Sequence, residues 1–303
     1  QKQGKSCDVD AQLGFEDYKI TEDFATEYQA ICYQVEKNED GTEKKDGNIC
    51  MDLDDTVQIC SNYRPHYHEY SVHYAARYID SVKRVMFIGG GDAMILHEVL
   101  KYPELEVVVG LELDQQVVRT SFKWFQSQPH FDDERVQWWF GDATKSLLLL
   151  PKDWANSFDL IVVDLSETVA SLTVTDHLDV LEALSMYLKP DGVMLKNELY
   201  FEKMSRTFDY SLEFQYYDCP MICDQTMVIG SNGIDLFHKE LVNHQLDGDL
   251  LILPEYDDLP DHFYLVHDFG INNATEEGKC RAYEQAVEES KKTKSSLTSR
   301  SKS

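Results

Sequence analysis

Four carboxylates, Asp92, Glu112, Asp142 and Asp164, each follow a short apolar run. Val85 to Ile88 has the length of a buried parallel strand and runs straight into Gly89, Gly90 and Gly91, where the backbone can turn tightly and approach a ligand. Asp92 opens a helical pattern (Ile95, Leu96, Val99, Leu100) that stops before Pro103. Glu106 to Leu111 then carries Glu112 to a strand end about 20 residues after the glycine turn, where an acid accepts hydrogen bonds from the two hydroxyls of a ribose. Val136 to Phe140 precedes Gly141-Asp142-Ala143, and Leu160 to Val163 precedes Asp164. A glycine run alone also serves packing. Four acids at four strand ends point instead to the ligand crevice of an open parallel sheet, shaped for a nucleoside.

The elements that must hold these acids read as follows. Residues 1 to about 24 are polar and acidic and are expected to wrap the surface or fray. Tyr28 to Val35 and Ile49 to Cys60 alternate apolar with polar around the charged segment Glu36 to Asn48, which reads as a hairpin with a long exposed loop. A helix from Pro65 to about Ile79 leads into the α/β core, which spans about 84 to 232, with Lys189-Pro190-Asp191-Gly192 as a turn before a strand at Val193 to Leu195. Further strands are expected at Leu250 to Leu253 and Phe263 to Val266. The expected division is 1–64 (β-hairpin domain), 65–240 (catalytic domain), 241–290 (C-terminal extension) and 291–303. That last stretch has five basic residues and no acids and reads as a disordered tail. Trp138, Trp139 and Phe140, inside a strand, read as core rather than as a stacking platform.

Composition narrows the partners. A net charge of −27 over 303 residues repels nucleic acid and anionic membranes and attracts cations. No apolar run approaches the roughly 18 residues of a membrane span. Seven cysteines, an odd number, fit no zinc spacing; Cys219 and Cys223 could pair or merely line a pocket. The first residue is Gln, which implies a leader or tag removed or never included, and Asn273-Ala274-Thr275 is a sequon. His66, His68, Glu69 and His73 could form a metal site, but helix starts rich in Tyr often carry His for packing, and no metal is expected.

Together these motifs resemble the spermidine and spermine synthases, aminopropyltransferases that use decarboxylated S-adenosylmethionine. The resemblance covers about residues 28 to 232. Residues 48–58 look like the family's hairpin strand and Tyr67-His68-Glu69-Tyr70 like its Tyr-Gln-Glu-Met helix start. Gly89 to Asp92 matches its Gly-Gly-Gly-Asp loop, Glu112-Leu113-Asp114 its Glu-Ile-Asp, and Gly141-Asp142-Ala143 its adenine-binding turn. Asp164-Leu165-Ser166-Glu167 matches its Asp-x-x-Asp segment. The resemblance implies an α/β, Rossmann-like S-adenosylmethionine-dependent transferase fold with a small N-terminal antiparallel β domain, dimerising through that domain. It implies Glu112 on the ribose, Asp142 on the adenine amino group, and Asp92 on the aminopropyl ammonium, with Gly89, Gly90, Gly91, Ala143 and His68 completing the donor site. Asp164 would be the general base with Tyr67 its companion, and Glu167 and Glu198 would hold a polyamine's remaining ammonium groups. It implies a cytoplasmic protein; the cysteines, the sequon and the missing start Met open a secretory or organellar alternative.

This chain departs from the pattern at Ala93 and Met94, where two glycines are usual, at His68 for Gln, and at Ile222 for the second active-site Tyr. A methyltransferase of the same fold and a non-catalytic nucleoside or polyamine binder are the competing readings. Asp92 disfavours the first, because it repels the carboxylate of ordinary S-adenosylmethionine.

Overall fold

The computed structural model describes residues 17–198, 200–219, 223–253 and 263–270. Tyr18–Ala25 (β1), Ala30–Glu36 (β2), Ile49–Leu53 (β3) and Thr56–Cys60 (β4) form an antiparallel sheet in that order. Alternation decides which face is buried: Ile31, Tyr33 and Val35 point inward, and the Tyr33 hydroxyl meets Ser121 Oγ at 2.8 Å. The expected hairpin is thus a four-stranded sheet. Asp54 and Asp55, at φ 50° and 61°, split the run Ile49 to Cys60 into two strands, since acids tolerate the left-handed turn. Of the segment 1 to 24 expected to wrap the surface or fray, residues 1–16 lie outside the described residues, and Tyr18–Ala25 pairs along the whole of β2. Cys50 and Cys60, opposite each other on β3 and β4, are joined by a disulfide, and Cys32 is a half-buried free thiol.

The second sheet carries Arg84–Gly89 (β5), Val107–Glu112 (β6), Val136–Phe140 (β7) and Phe158–Asp164 (β8); a two-stranded ribbon of Thr173–Thr175 (β9) and Leu178–Asp179 (β10) lies outside it. Leu188–Asn197 (β11), Tyr210–Cys219 (β12), Cys223–Ser231 (β13) and Phe263–Gly270 (β14) complete it in the order β14-β12-β13-β11-β8-β5-β6-β7. Strands β11, β8, β5, β6 and β7 run parallel, and β13, β12 and β14 continue antiparallel. Helices Arg64–Glu69 (α1), Met94–Val99 (α2), Gln115–Phe125 (α3), Ala143–Leu149 (α4), Glu167–Ala170 (α5), Val180–Ser185 (α6) and Phe201–Thr207 (α7) surround it. Central strands covered on both faces must be apolar on both: Val85 and Phe87 join one core cluster, Met86 and Ile88 the other.

Several boundaries moved for identifiable reasons. The helix expected at Asp92 begins at Met94, because Ala93 takes a left-handed conformation (φ 61°) and its N–H bonds Gly90 O at 2.9 Å. The helix from Pro65 passes into a π-helical turn at Tyr70–Tyr74, where Ser71 Oγ also bonds Tyr67 O at 2.6 Å. The expected turn at Lys189 to Gly192 lies within β11 as a break in register between Leu188 and Val193. Leu250 to Leu253 is not a strand. The N–H groups of Leu251, Ile252 and Leu253 go instead to the buried Glu69 carboxylate at 2.8, 2.7 and 3.0 Å. The strand expected at Phe263 to Val266 is present as β14. Trp138, Trp139 and Phe140 are only half-buried, since β7 is an edge strand, and the rings of Trp138 and Phe140 stack 5.6 Å apart. Residues 291–303, the sequon and Ile222 lie outside the described residues, as do the side chains of Glu167, Cys219 and Cys223.

Candidate active site

Register brings the strand ends into one row. Gly89 pairs with Asp164, Lys196 with Val163, Ile88 with Leu111, and Glu112 with Phe140. Asn197, Asp164, Gly89 and Glu112 therefore end neighbouring strands on the same side, and the residues after them face one crevice.

The glycines at this edge are sterically required. Gly89 has φ 78°, and a Cβ there would stand 2.1 Å from Asp164 O; a Cβ on Gly91 would stand 3.0 Å from the Glu112 carboxyl carbon. Gly90 also has positive φ. Ala93 takes up the same conformation with a side chain, at a steric cost of about 1–2 kcal/mol.

Asp164 is part-buried at the tip of β8. Its Oδ1 accepts the Tyr67 hydroxyl at 2.5 Å and Asn197 Nδ2 at 3.0 Å. Burial pushes its carboxyl above the usual range, against the pull of Tyr67, His68 and Lys196. Burial and the adjacent Asp164 hold the Tyr67 phenol far above its ordinary value, so it remains a donor.

Asp92 and His68 form a buried pair, with His68 Nε2 3.3 Å from Asp92 Oδ2. His68 Nδ1 lies 2.7 Å from Arg64 O, an acceptor, so the proton on Nδ1 is fixed and Nε2 faces the carboxylate. Burial opposes the imidazolium, but Asp92 outweighs it and raises the His68 pKa; burial likewise opposes Asp92 ionisation, and His68 lowers its pKa on balance. Asp92 Oδ1 accepts the Met94 N–H at 3.1 Å.

Glu112 is buried, with Oε1 accepting the Asp114 N–H at 2.9 Å. Burial first, then the Asp114 and Asp164 carboxylates, push its pKa up to about 7. Asp114 caps α3 through Gln116 N at 2.9 Å and accepts Thr26 Oγ1 at 2.6 Å, which ties the first sheet to this edge. A cavity of about 700 Å³ opens beside it, lined among others by Phe24, Tyr28, Leu113, Phe140 and Gly141.

Tyr67, His68, Asp92, Glu112 and Asp164 thus share one interacting group. Asp142 stands apart: it caps α4, accepting Thr144 N at 2.9 Å and Thr144 Oγ1 at 2.7 Å, and is partly open to solvent beside Ala143. Glu198 is exposed, in a left-handed conformation. Three of the four residues read as a possible metal cluster turn to other partners. Glu69 holds backbone N–H groups, His68 faces Asp92, and His73 bonds Tyr102 and Glu98 at 2.9 and 2.7 Å. Among the described residues no three ligating side chains converge. Of Lys196-Asn197-Glu198, which is similar to the family's Gln-Gly-Glu, the sequence pointed to Glu198 alone as a site residue, whereas the structure brings Asn197 and Lys196 to Asp164.

Comparison with known proteins bears on the family and the fold. A family model described as the Spermine/spermidine synthase domain matches residues 64–216. Over 143 residues the chain is 34% identical to the spermine synthase of Arabidopsis thaliana, which covers 47% of this chain and 39% of that protein. It is 33% identical over 147 residues to the polyamine aminopropyltransferase of Xanthomonas campestris pv. campestris, covering 48% of this chain and 50% of that one. The match spans about half the length of these relatives or less. In fold, the chain is similar to a spermidine synthase solved with the transition-state analogue AdoDATO. That likeness has TM-score 0.60 and 22% identity, and covers 79% of this chain and 87% of that one. The spermidine synthase of Thermotoga maritima gives TM-score 0.59 at 21% identity, covering 74% and 79%. Because the family match runs from the helix that carries Tyr67, through the glycine turn and every acid-tipped strand, to β12, over just more than half of the sequence, this chain belongs to the spermine/spermidine synthase family.

Proposed function

We propose that this chain transfers the aminopropyl group of decarboxylated S-adenosylmethionine to a polyamine, releasing methylthioadenosine. The observation that carries the reading is the Asp164 carboxylate, held on Oδ1 by Tyr67 and Asn197 at the edge that also presents Asp92 and Glu112. In such a displacement the amine nitrogen bonds to the carbon next to the sulfonium. The carbon–sulfur bond breaks, and its electron pair remains on sulfur as a neutral thioether. The amine must first lose a proton, which Asp164 would accept; its raised pKa makes it a better base than an ordinary Asp. Positioning of amine and donor in line would supply the larger share of the rate. In this reading Glu112 holds the ribose, Gly89, Gly90 and Gly91 let the backbone close on the nucleoside, and Asp142 with Ala143 takes the adenine. Asp92 with His68 takes the aminopropyl ammonium, and Glu167 and Glu198 take the distal polyamine charge. Dimerisation through the first sheet and a separate role for residues 241–290 belong to the same proposal.

One observation favours a second reading. His68 partly neutralises Asp92, and Ala93 and Met94 add bulk where the family has glycines, which weakens the discrimination against a donor that keeps its carboxylate. The test is incubation with each donor and a panel of polyamines. Methylthioadenosine is the expected product; S-adenosylhomocysteine would establish a methyltransferase, and neither product a binder.

A further inference from the structure

Lys196 is fully buried near the end of β11, and the displacement described above does not use it. Its Nζ donates to Asn197 O at 2.8 Å and to Asn197 Oδ1. An ammonium has only protons to offer, so the Asn197 side-chain atom it meets is the oxygen, and Nδ2 is forced to the other side. There Nδ2 donates to Asp164 Oδ1 at 3.0 Å, the same oxygen that takes the Tyr67 hydroxyl at 2.5 Å. Neighbouring β11 and β8 make this reach short, since Lys196 pairs with Val163. Lys196 Nζ also lies 5.3 Å over the Tyr200 ring, which helps fix its position.

We propose that Lys196 and Asn197 are positioning residues: the lysine orients the Asn197 amide, the amide and Tyr67 together occupy Asp164 Oδ1, and Oδ2 is left to face the acceptor amine and take its proton. The inference rests on the aminopropyl-transfer reading. It explains why a buried cation is tolerated in a site meant for cationic substrates. Two of its hydrogen bonds go to Asn197, and its charge helps keep Asp164 ionised while the amine approaches. Asp92 and His68 from the glycine loop and α1, and Glu112 from β6, are the other charged groups facing Asp164; the carboxylates favour its protonated form and His68 its ionised form.

The test uses the full chain with Asn197→Leu, which keeps the branched shape and removes the donor, and Lys196→Met, with Lys196→Arg as the conservative variant. Methylthioadenosine release is measured against pH. Asp164 protonation is followed separately by its infrared carboxyl band, assigned by difference from Asp164→Asn. The proposal expects Asn197→Leu and Lys196→Met to lower kcat about tenfold or more with methylthioadenosine affinity changed less than about twofold. It expects the acidic limb and the Asp164 band to move up by about one pH unit, and Lys196→Arg to recover part of both. An unmoved profile and band, or equal losses in turnover and nucleoside affinity, would overturn it in favour of packing alone. Should Lys196→Met fail to fold, Asn197→Leu decides. If the wild-type protein releases no methylthioadenosine, the aminopropyl reading fails, and the infrared titration judges the relay by itself: an unshifted band in Asn197→Leu overturns it.

Discussion

Glu112 is the residue whose environment most changes its chemistry. Its pKa rises from the ordinary 4.5 to about 7, so near neutrality it is partly protonated. Ribose hydroxyls donate to the ionised form, so methylthioadenosine affinity should fall about tenfold per unit as pH drops below 7 and level off above it. Calorimetry from pH 5.5 to 8.5 checks this, and Glu112→Gln should bind weakly with no slope. The same shift acts on stability with a definite sign. A carboxyl raised in the folded state contributes most below its unfolded value, and about 3 kcal/mol is lost as pH rises from 4.5 towards 7. Asp164→Asn keeps the shape of the side chain and removes its capacity to take a proton. Turnover should therefore fall by about a thousandfold or more while methylthioadenosine binding stays near wild type. Full activity in this variant would remove Asp164 from the mechanism.

At the scale of elements, the loop from Gly89 to Met94 and the π-helical turn carry the local strain. Ala93 sits at φ 61°, so Ala93→Gly should raise the unfolding free energy by about 0.5–1 kcal/mol, a gain in the urea midpoint where glycine usually costs stability. A loss would mean that the Ala93 methyl, which is fully buried, packs well enough to outweigh the strain. Glu69 joins α1 to a segment far along the chain by accepting three backbone N–H groups while fully buried. Glu69→Gln replaces one carboxylate oxygen by a donor facing those N–H groups. It should cost about 2–4 kcal/mol and speed hydrogen exchange selectively at residues 251–253. Uniform exchange across the chain would show global destabilisation without this specific tie.

For the whole molecule, two sheets meet at Asp114 and Thr26, and the Cys50–Cys60 disulfide closes the hairpin of β3 and β4. Reduction, or Cys50→Ser with Cys60→Ser, should remove about 2–3 kcal/mol on the loop-closure account and lower Tm. Differential scanning calorimetry with and without reductant measures it; an unchanged Tm would mean that the sheet already restricts the unfolded loop. The sequence by itself determined the βαβ order, the glycine turn and the acids at strand ends. Those features depend on local periodicity and on backbone conformations only glycine adopts freely, and both are written in neighbouring residues. It also placed Tyr67 on a helix; that Tyr67 partners Asp164, 97 residues away, came only from the family resemblance and not from any spacing. Only the tertiary structure decided the other partners. Register between β8 and β11 set Asn197 beside Asp164, the fold of α1 onto the glycine loop set His68 against Asp92, and the Glu69 carboxylate drew residues 251–253 away from a strand. Such contacts depend on where the chain returns in space and on which buried polar groups need satisfaction there, and neither has a period or spacing that a linear reading can detect.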